Sequence, residues 1–296
     1  MLYYVKRGDT LQKIAIQFNT TPKAIMEANV ICNPNFISAG EPLIIPNPNI
    51  KLPKSQGQPP YYIVKFGDTY LCLSKEFNIP VKSLIYMNKF NPTSIPTGSE
   101  ILVGDYMGSP IDLKEQWETI GNTKCDKLTE DEIYNVYYNG SFIWQTLGNQ
   151  SIPYLLDLLK HNCDIVRFYS IVSLGRIAPN NLNVINTLIN MTSDKSELVS
   201  TAAQLALDRI TLVEQYGKRM HITVVENRIY DEPNLKANSF LVPIGNTVMS
   251  LNWAIPSITG EKNMTGDVIL YDRVRFFSTG QDGYMPRLGF NEINVI

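Results

Sequence analysis

The chain has 296 residues, 44% hydrophobic and 18% charged, with a formal net charge of −2 at pH 7. That is enough material for two or three cores, without the basic excess of a nucleic-acid footprint. No apolar run reaches the ~18 residues of a membrane helix. Met1 leads straight into a strand pattern with no basic start and no apolar leader core, so synthesis in the cytoplasm without a Sec signal is expected. Cys32, Cys72, Cys125 and Cys163 share no tight spacing. They are expected to be buried free thiols in a reducing compartment, not a disulfide framework or a zinc site.

In chain order, Gly-Asp-Thr occurs at Gly8-Asp9-Thr10 and again at Gly67-Asp68-Thr69. A shift of 59 residues also lays Ile14 on Leu73, Phe18-Asn19 on Phe77-Asn78, Ile25 on Leu84 and Asn29 on Asn88. One deletion later Pro34 meets Pro92 and Gly40 meets Gly98. Each copy predicts a strand, two helices and a strand. In the first copy Tyr4-Val5 is the strand and Arg7-Gly8-Asp9 the turn. Asp9 or Thr10 then caps a helix that carries Leu11, Ile14, Ala15 and Phe18 on one face. Thr21-Pro22 opens the second helix, and the Asn29–Asn35 loop leads to a closing strand at Pro42–Ile45.

This βααβ order, with Gly-Asp-Thr, Phe-Asn, Asn, Asn-Pro and a closing Gly in register twice, resembles the LysM module. The second copy departs from the pattern at Tyr70. The resemblance implies a shallow groove between the strand-to-helix turn and the helix-to-strand loop, which takes N-acetylglucosamine polymers such as peptidoglycan or chitin. Carried over position by position, the glycan-binding candidates are Gly8, Asp9, Thr10, Leu11, Asn33, Pro34, Phe36 and Ile37. In the second copy they are Gly67, Asp68, Thr69, Tyr70, Asn91, Pro92 and Ile95. Free amides at a helix start suit an acetamido group, with Leu11 and Ile37 as an apolar floor for its methyl. A purely structural role for Asp9 and Asp68 at the helix start stands beside this reading. The Pro-rich connector at 48–60 reads as a semi-extended spacer, so that two weak sites gain avidity on one polymer.

From 105 to 216 the pattern becomes helical. Ile152–Ile177 and Ile185–Ile210 align at a shift of 33, pairing Leu155 with Leu188, Val166 with Val199 and Arg176 with Arg209. This resembles a HEAT-type helix pair, a spacer or a docking surface for protein partners. Ser141–Asn149 reads as the end of a degraded earlier repeat. Tyr134–Tyr138 is either an aromatic partner patch or ordinary packing.

From 217 to 296 the chain reads as strands. Its order, with Trp253, Arg273-Val274-Arg275-Phe276, a Gly280–Gly283 turn and Gly283-Tyr284-Met285, resembles a bacterial SH3-like barrel. The expected fold class is therefore multidomain α+β: LysM modules at 1–47 and 61–104, a HEAT-like segment and an SH3-like domain.

No catalytic constellation emerges. His161 lies in a predicted turn and His221 begins a strand, and neither sits in a peptidase or metalloenzyme motif. The adjacent acids at Glu130-Asp131-Glu132 and Asp231-Glu232 read as a helix start and a turn, not as glycosidase carboxylates. The expectation is a non-enzymatic protein, without cofactor or metal, that holds glycan at a cell wall or spore envelope. The alternative is a structural component of a phage tail or injection baseplate, with LysM folds as protein adaptors.

Overall fold

The computed structural model describes residues 1–47, 49, 60–91, 93–178, 180–217, 220–264 and 266–287. Most of the connector, and Pro92, lie outside them. Among the described residues no helix is long and apolar enough to cross a membrane. The chain divides into two units. One joins Met1–Asp105 to Asn227–Val242 and Ser250–Arg287, and the other joins Tyr106–Glu226 to Pro243–Met249.

In the first unit, the opening module comprises β1 (Leu2–Tyr4), α1 (Leu11–Gln17), α2 (Pro22–Ala28) and β2 (Pro42–Ile44). The strands pair antiparallel, Leu2 opposite Ile44. The second module repeats this with β3 (Tyr61–Ile63), α3 (Tyr70–Phe77), α4 (Val81–Asn88) and β4 (Glu100–Leu102), Tyr61 opposite Leu102. Helices of seven or eight residues are too short to hold alone in water. Packing holds them: Leu11, Ile14, Ala15 and Ile25 close on Tyr3, Val5, Leu43 and Ile45. The caps settle the question left open by sequence. Thr10, not Asp9, accepts the Lys13 amide at 3.2 Å, and Thr21 accepts that of Ala24 at 3.1 Å ahead of Pro22.

An asparagine clamps each module, buried in the first and half-buried in the second. Asn29 Nδ2 donates to the carbonyls of Ile25 and Ile44, both at 2.8 Å, and its Oδ1 accepts the Ile44 amide at 2.9 Å. Asn88 makes the same three bonds to Leu84 and Leu102 at 2.7–3.0 Å. One side chain thus ties the second helix to the closing strand.

The C-terminal strands are β5 (Met220–Ile222), β6 (Asn227–Tyr230), β7 (Ser239–Val242), β8 (Thr247–Pro256), β9 (Leu270–Phe276) and β10 (Asp282–Pro286). Their order is β5-β8-β9-β10-β6-β7. Among the described residues this sheet is open, where sequence suggests a closed barrel. Its edge strands β5 and β7 have only three and four residues. Within the first unit the sheet grips both modules. Ile44 packs with Tyr230, Ile255, Tyr271 and Tyr284, and the Tyr4 and Tyr284 hydroxyls meet at 2.6 Å. The Trp253 ring lies 5.0 Å from that of Tyr61, and its Nε1 donates to Glu100 at 3.0 Å.

The second unit holds α5 (Pro110–Lys124), α6 (Glu130–Glu132), a π-helical stretch at Ile133–Tyr138, α7 (Asn139–Leu147), α8 (Ile152–Leu158), α9 (Asp164–Ile177), α10 (Leu182–Met191) and α11 (Glu197–Tyr216). The pairs α8–α9 and α10–α11 follow the 33-residue shift, and Leu155, Leu188, Val166 and Val199 are all fully buried. Arg167 joins the two pairs. It binds Asp194 at 2.8 and 2.9 Å and donates to the carbonyls of His161 and Asn162, each at 2.8 Å. Of the aromatic run, Tyr137 and Tyr138 are buried. Tyr137 stacks on Tyr169 at 5.9 Å, so packing, not a surface patch, claims these rings.

The free-thiol expectation is overturned. Cys32 is bonded to Cys72 and Cys125 to Cys163. The partners lie 40 and 38 residues apart, and only folding brings them together.

Candidate glycan-binding site

Both Gly-Asp-Thr turns are built alike. Gly8 and Gly67 each have φ +88°, the left-handed region where a side chain is disfavoured. The next residue closes the turn. Asp9 Oδ2 accepts the Tyr3 hydroxyl at 2.7 Å and the Lys6 amide at 2.8 Å. Asp68 Oδ2 accepts the Tyr62 hydroxyl and the Lys65 amide at the same distances. Thr10 and Thr69 then cap α1 and α3, and both threonines are exposed. Each turn thus presents a helix start, where the first amides have no intrahelical partner.

The environments of the two aspartates differ. The Tyr3 hydroxyl, and then the Lys6 amide, hold the Asp9 carboxyl below its ordinary range. Burial pushes Asp68 up, against the pull of the Lys65 amide and the Tyr62 hydroxyl. The signs follow by linkage. The contribution of Asp9 is present above the unfolded carboxyl value and is lost as pH falls through its depressed one. That of Asp68 is complete below the unfolded value and fades as pH rises through its elevated one.

The remaining candidates fall into three groups. Leu11 is 2% exposed, inside the core, with Ile37 packed against that core. Its counterpart Tyr70 is also buried, and its hydroxyl lacks a hydrogen-bond partner among the described residues. Asn33 and Asn91 shape their loops, Asn33 Oδ1 accepting the Asn35 amide at 3.0 Å and Asn91 Oδ1 that of Thr93 at 2.9 Å. Pro34 and Phe36 are exposed, and Ile95 is half-buried.

What sequence reasoning missed is that the first module's loop sits on the second module's turn. The Phe36 ring meets Phe66 edge-on at 4.9 Å. A Cβ on Gly67 would lie 2.7 Å from Phe36 Cδ2, whereas a Cβ on Gly8 would meet nothing within 4 Å. Cys32–Cys72 ties the same loop to α3. Lys65 pairs with Glu41 and donates to the Val30 carbonyl at 3.2 Å. One signal was visible: the apolar Phe66 stands where the first copy has Arg7. Gly8→Ala is therefore expected to cost about 1–2 kcal/mol, the backbone term alone. Gly67→Ala is expected to cost at least ~1 kcal/mol more, because Phe36 must move. Urea denaturation of the two variants measures the difference.

The LysM domain family matches residues 3–46 and 62–104. The secreted LysM effector ECP6 of Passalora fulva is 35% identical over 133 residues, 40% of this chain and 57% of the effector. A putative L,D-transpeptidase YkuD of Bacillus licheniformis is 46% identical over 46 residues, 16% of this chain and 28% of that protein. The cortical fragment-lytic enzyme of Bacillus subtilis is 47% identical over 45 residues, 15% of this chain and 10% of the enzyme. The chain thus spans little more than half of the effector and far less of the two others. Among solved structures, the spore cortex-lytic enzyme SleL of Bacillus cereus aligns over 97% of this chain and 88% of its own, at 13% identity and a TM-score of 0.19. That of Bacillus megaterium QM B1551 aligns over 96% and 88%, at 13% identity and 0.17. At these scores the likeness carries no argument. The two repeated βααβ units of this chain are LysM domains in tandem.

Proposed function

We propose that the paired LysM modules bind N-acetylglucosamine polymer, peptidoglycan or chitin, and hold the rest of the chain at a cell wall or spore envelope. The observation that carries this reading is the duplicated turn: a left-handed glycine, a hydrogen-bonded aspartate and a threonine-capped helix start, built twice within one unit. The Cys32–Cys72 bond and Lys65 hold the two turns in a set relation. Avidity then comes only from polymers long enough to span both turns, since a rigid pair cannot search as a flexible tether does. The helical segment, read as HEAT-like, supplies a surface for protein partners. On this reading the chain binds without a catalytic step; what supports it is that His161 accepts the Cys163 amide at 3.0 Å and His221 is buried in β5.

The test is retention of the full chain on insoluble peptidoglycan and on chitin. Wild type is expected to be retained. The double change Thr10→Arg with Thr69→Arg fills both helix starts and is expected to lose most of the retention, while the double serine variant, which keeps the caps, retains it. A folded wild-type chain that neither polymer holds would remove glycan binding and leave the modules as assembly adaptors.

A further inference from the structure

The two disulfides have different surroundings. Among the described residues, Cys32 and Cys72 have no third metal-binding donor beside them, whereas Cys125 and Cys163 share their site with Asp164, the three ligand atoms lying within 4.8 Å of one another. We propose that, once reduced, Cys125, Cys163 and Asp164 form a binding site for a thiophilic divalent cation, zinc above all. The carboxylate is already aimed. The Ser196 hydroxyl donates to Asp164 Oδ2 at 3.2 Å, and Oδ1 lies 4.0 Å from Cys125 Sγ. A disulfide sulfur has no hydrogen to donate, so the carboxylate gains nothing from facing it. A thiol or a bound cation gives it a partner. An outer hydrogen bond that orients a ligating carboxylate is the usual support of a metal ligand.

The backbone suits both states. The two cysteine Cα atoms are 5.5 Å apart, so rotation of the side chains brings both sulfurs to the ~2.3 Å zinc–sulfur distance on one ion. Cys163 is held by its amide, which donates to His161 Nδ1 at 3.0 Å. The His161 ring lies against Gly121, one turn before Cys125. Cys163 and Asp164 also open the 14-residue helix α9, whose positive end favours thiolate and carboxylate. Three protein donors leave the fourth zinc position to water.

The chemistry balances with a phosphine as reductant. Phosphine and water convert the disulfide to two thiols and a phosphine oxide, and the cation then displaces the two thiol protons. The experiment uses the full chain, reduced with a water-soluble phosphine, loaded with Zn²⁺ or Co²⁺ and desalted. About one metal per chain is expected, with thiolate-to-cobalt charge-transfer absorption. Asp164→Asn keeps both thiols and is expected to weaken cobalt binding about tenfold or more. Cys125→Ser with Cys163→Ser abolishes binding, and Cys32→Ser with Cys72→Ser leaves it unchanged. Failure of the reduced wild type to retain metal overturns the site. So does undiminished binding by Asp164→Asn, or loss of binding in Cys32→Ser with Cys72→Ser.

Discussion

Replacing Asn29 with alanine is expected to lower the stability of the first module by about 3–4 kcal/mol. The side chain is 1% exposed and makes three hydrogen bonds between α2 and β2. Without it the Ile44 amide loses its partner where water does not reach, a defect that costs about 1–3 kcal/mol on its own. Two carbonyls lose a donor as well, and the helix–strand tie goes with them. Asn88 makes the same bonds but is only half-buried. Water replaces part of what Asn88→Ala removes, so its loss is expected to be nearer 1–2 kcal/mol. Native-state hydrogen exchange separates the two. Protection of the Ile14 and Leu43 amides should fall by two to three orders of magnitude in the Asn29 variant, at about 1.4 kcal/mol per decade. A drop of less than one decade would mean that the clamp is incidental.

The second large effect is expected at the bond between the modules. Cys32–Cys72 closes a loop of 40 residues, for which chain-entropy loss predicts about 4 kcal/mol of stabilisation. Lys65 and the Phe36–Phe66 contact survive its removal, so Cys32→Ser with Cys72→Ser should fold and unfold earlier. Chemical denaturation followed by tyrosine fluorescence is expected to show a loss of about 2–4 kcal/mol. Identical midpoints for wild type and variant would show that the modules are joined by their other contacts alone.

Periodicity and cap chemistry made the modules readable before the structure. Each helix starts at a threonine or proline with a local physical reason to be there, and local rules act within a few residues. The clamp was half visible, since Asn29 and Asn88 align, but their three bonds reach across a module to β2 and β4. The disulfides were not legible. Cys32 and Cys72 meet only because one module's loop docks on the next module's turn, and spacing along a chain says nothing of docking. The grip of the C-terminal strands, Tyr284 on Tyr4 and Trp253 on Glu100, spans 280 and 153 residues and leaves no periodic trace. The open sheet escaped for a related reason. Barrel closure depends on edge-strand length and register, which Gly-aromatic motifs do not report.

Glycan binding at the two helix starts is tested most directly by residue. Chito-oligosaccharides and muropeptides titrated into the ¹⁵N-labelled full chain should shift the amides of Gly8 to Leu11, of Gly67 to Tyr70, or of both sets, and leave those of the α9–α11 helices in place. Saturating ligand that moves neither turn, in a chain whose spectrum shows it folded, would contradict the assignment of these turns as glycan seats.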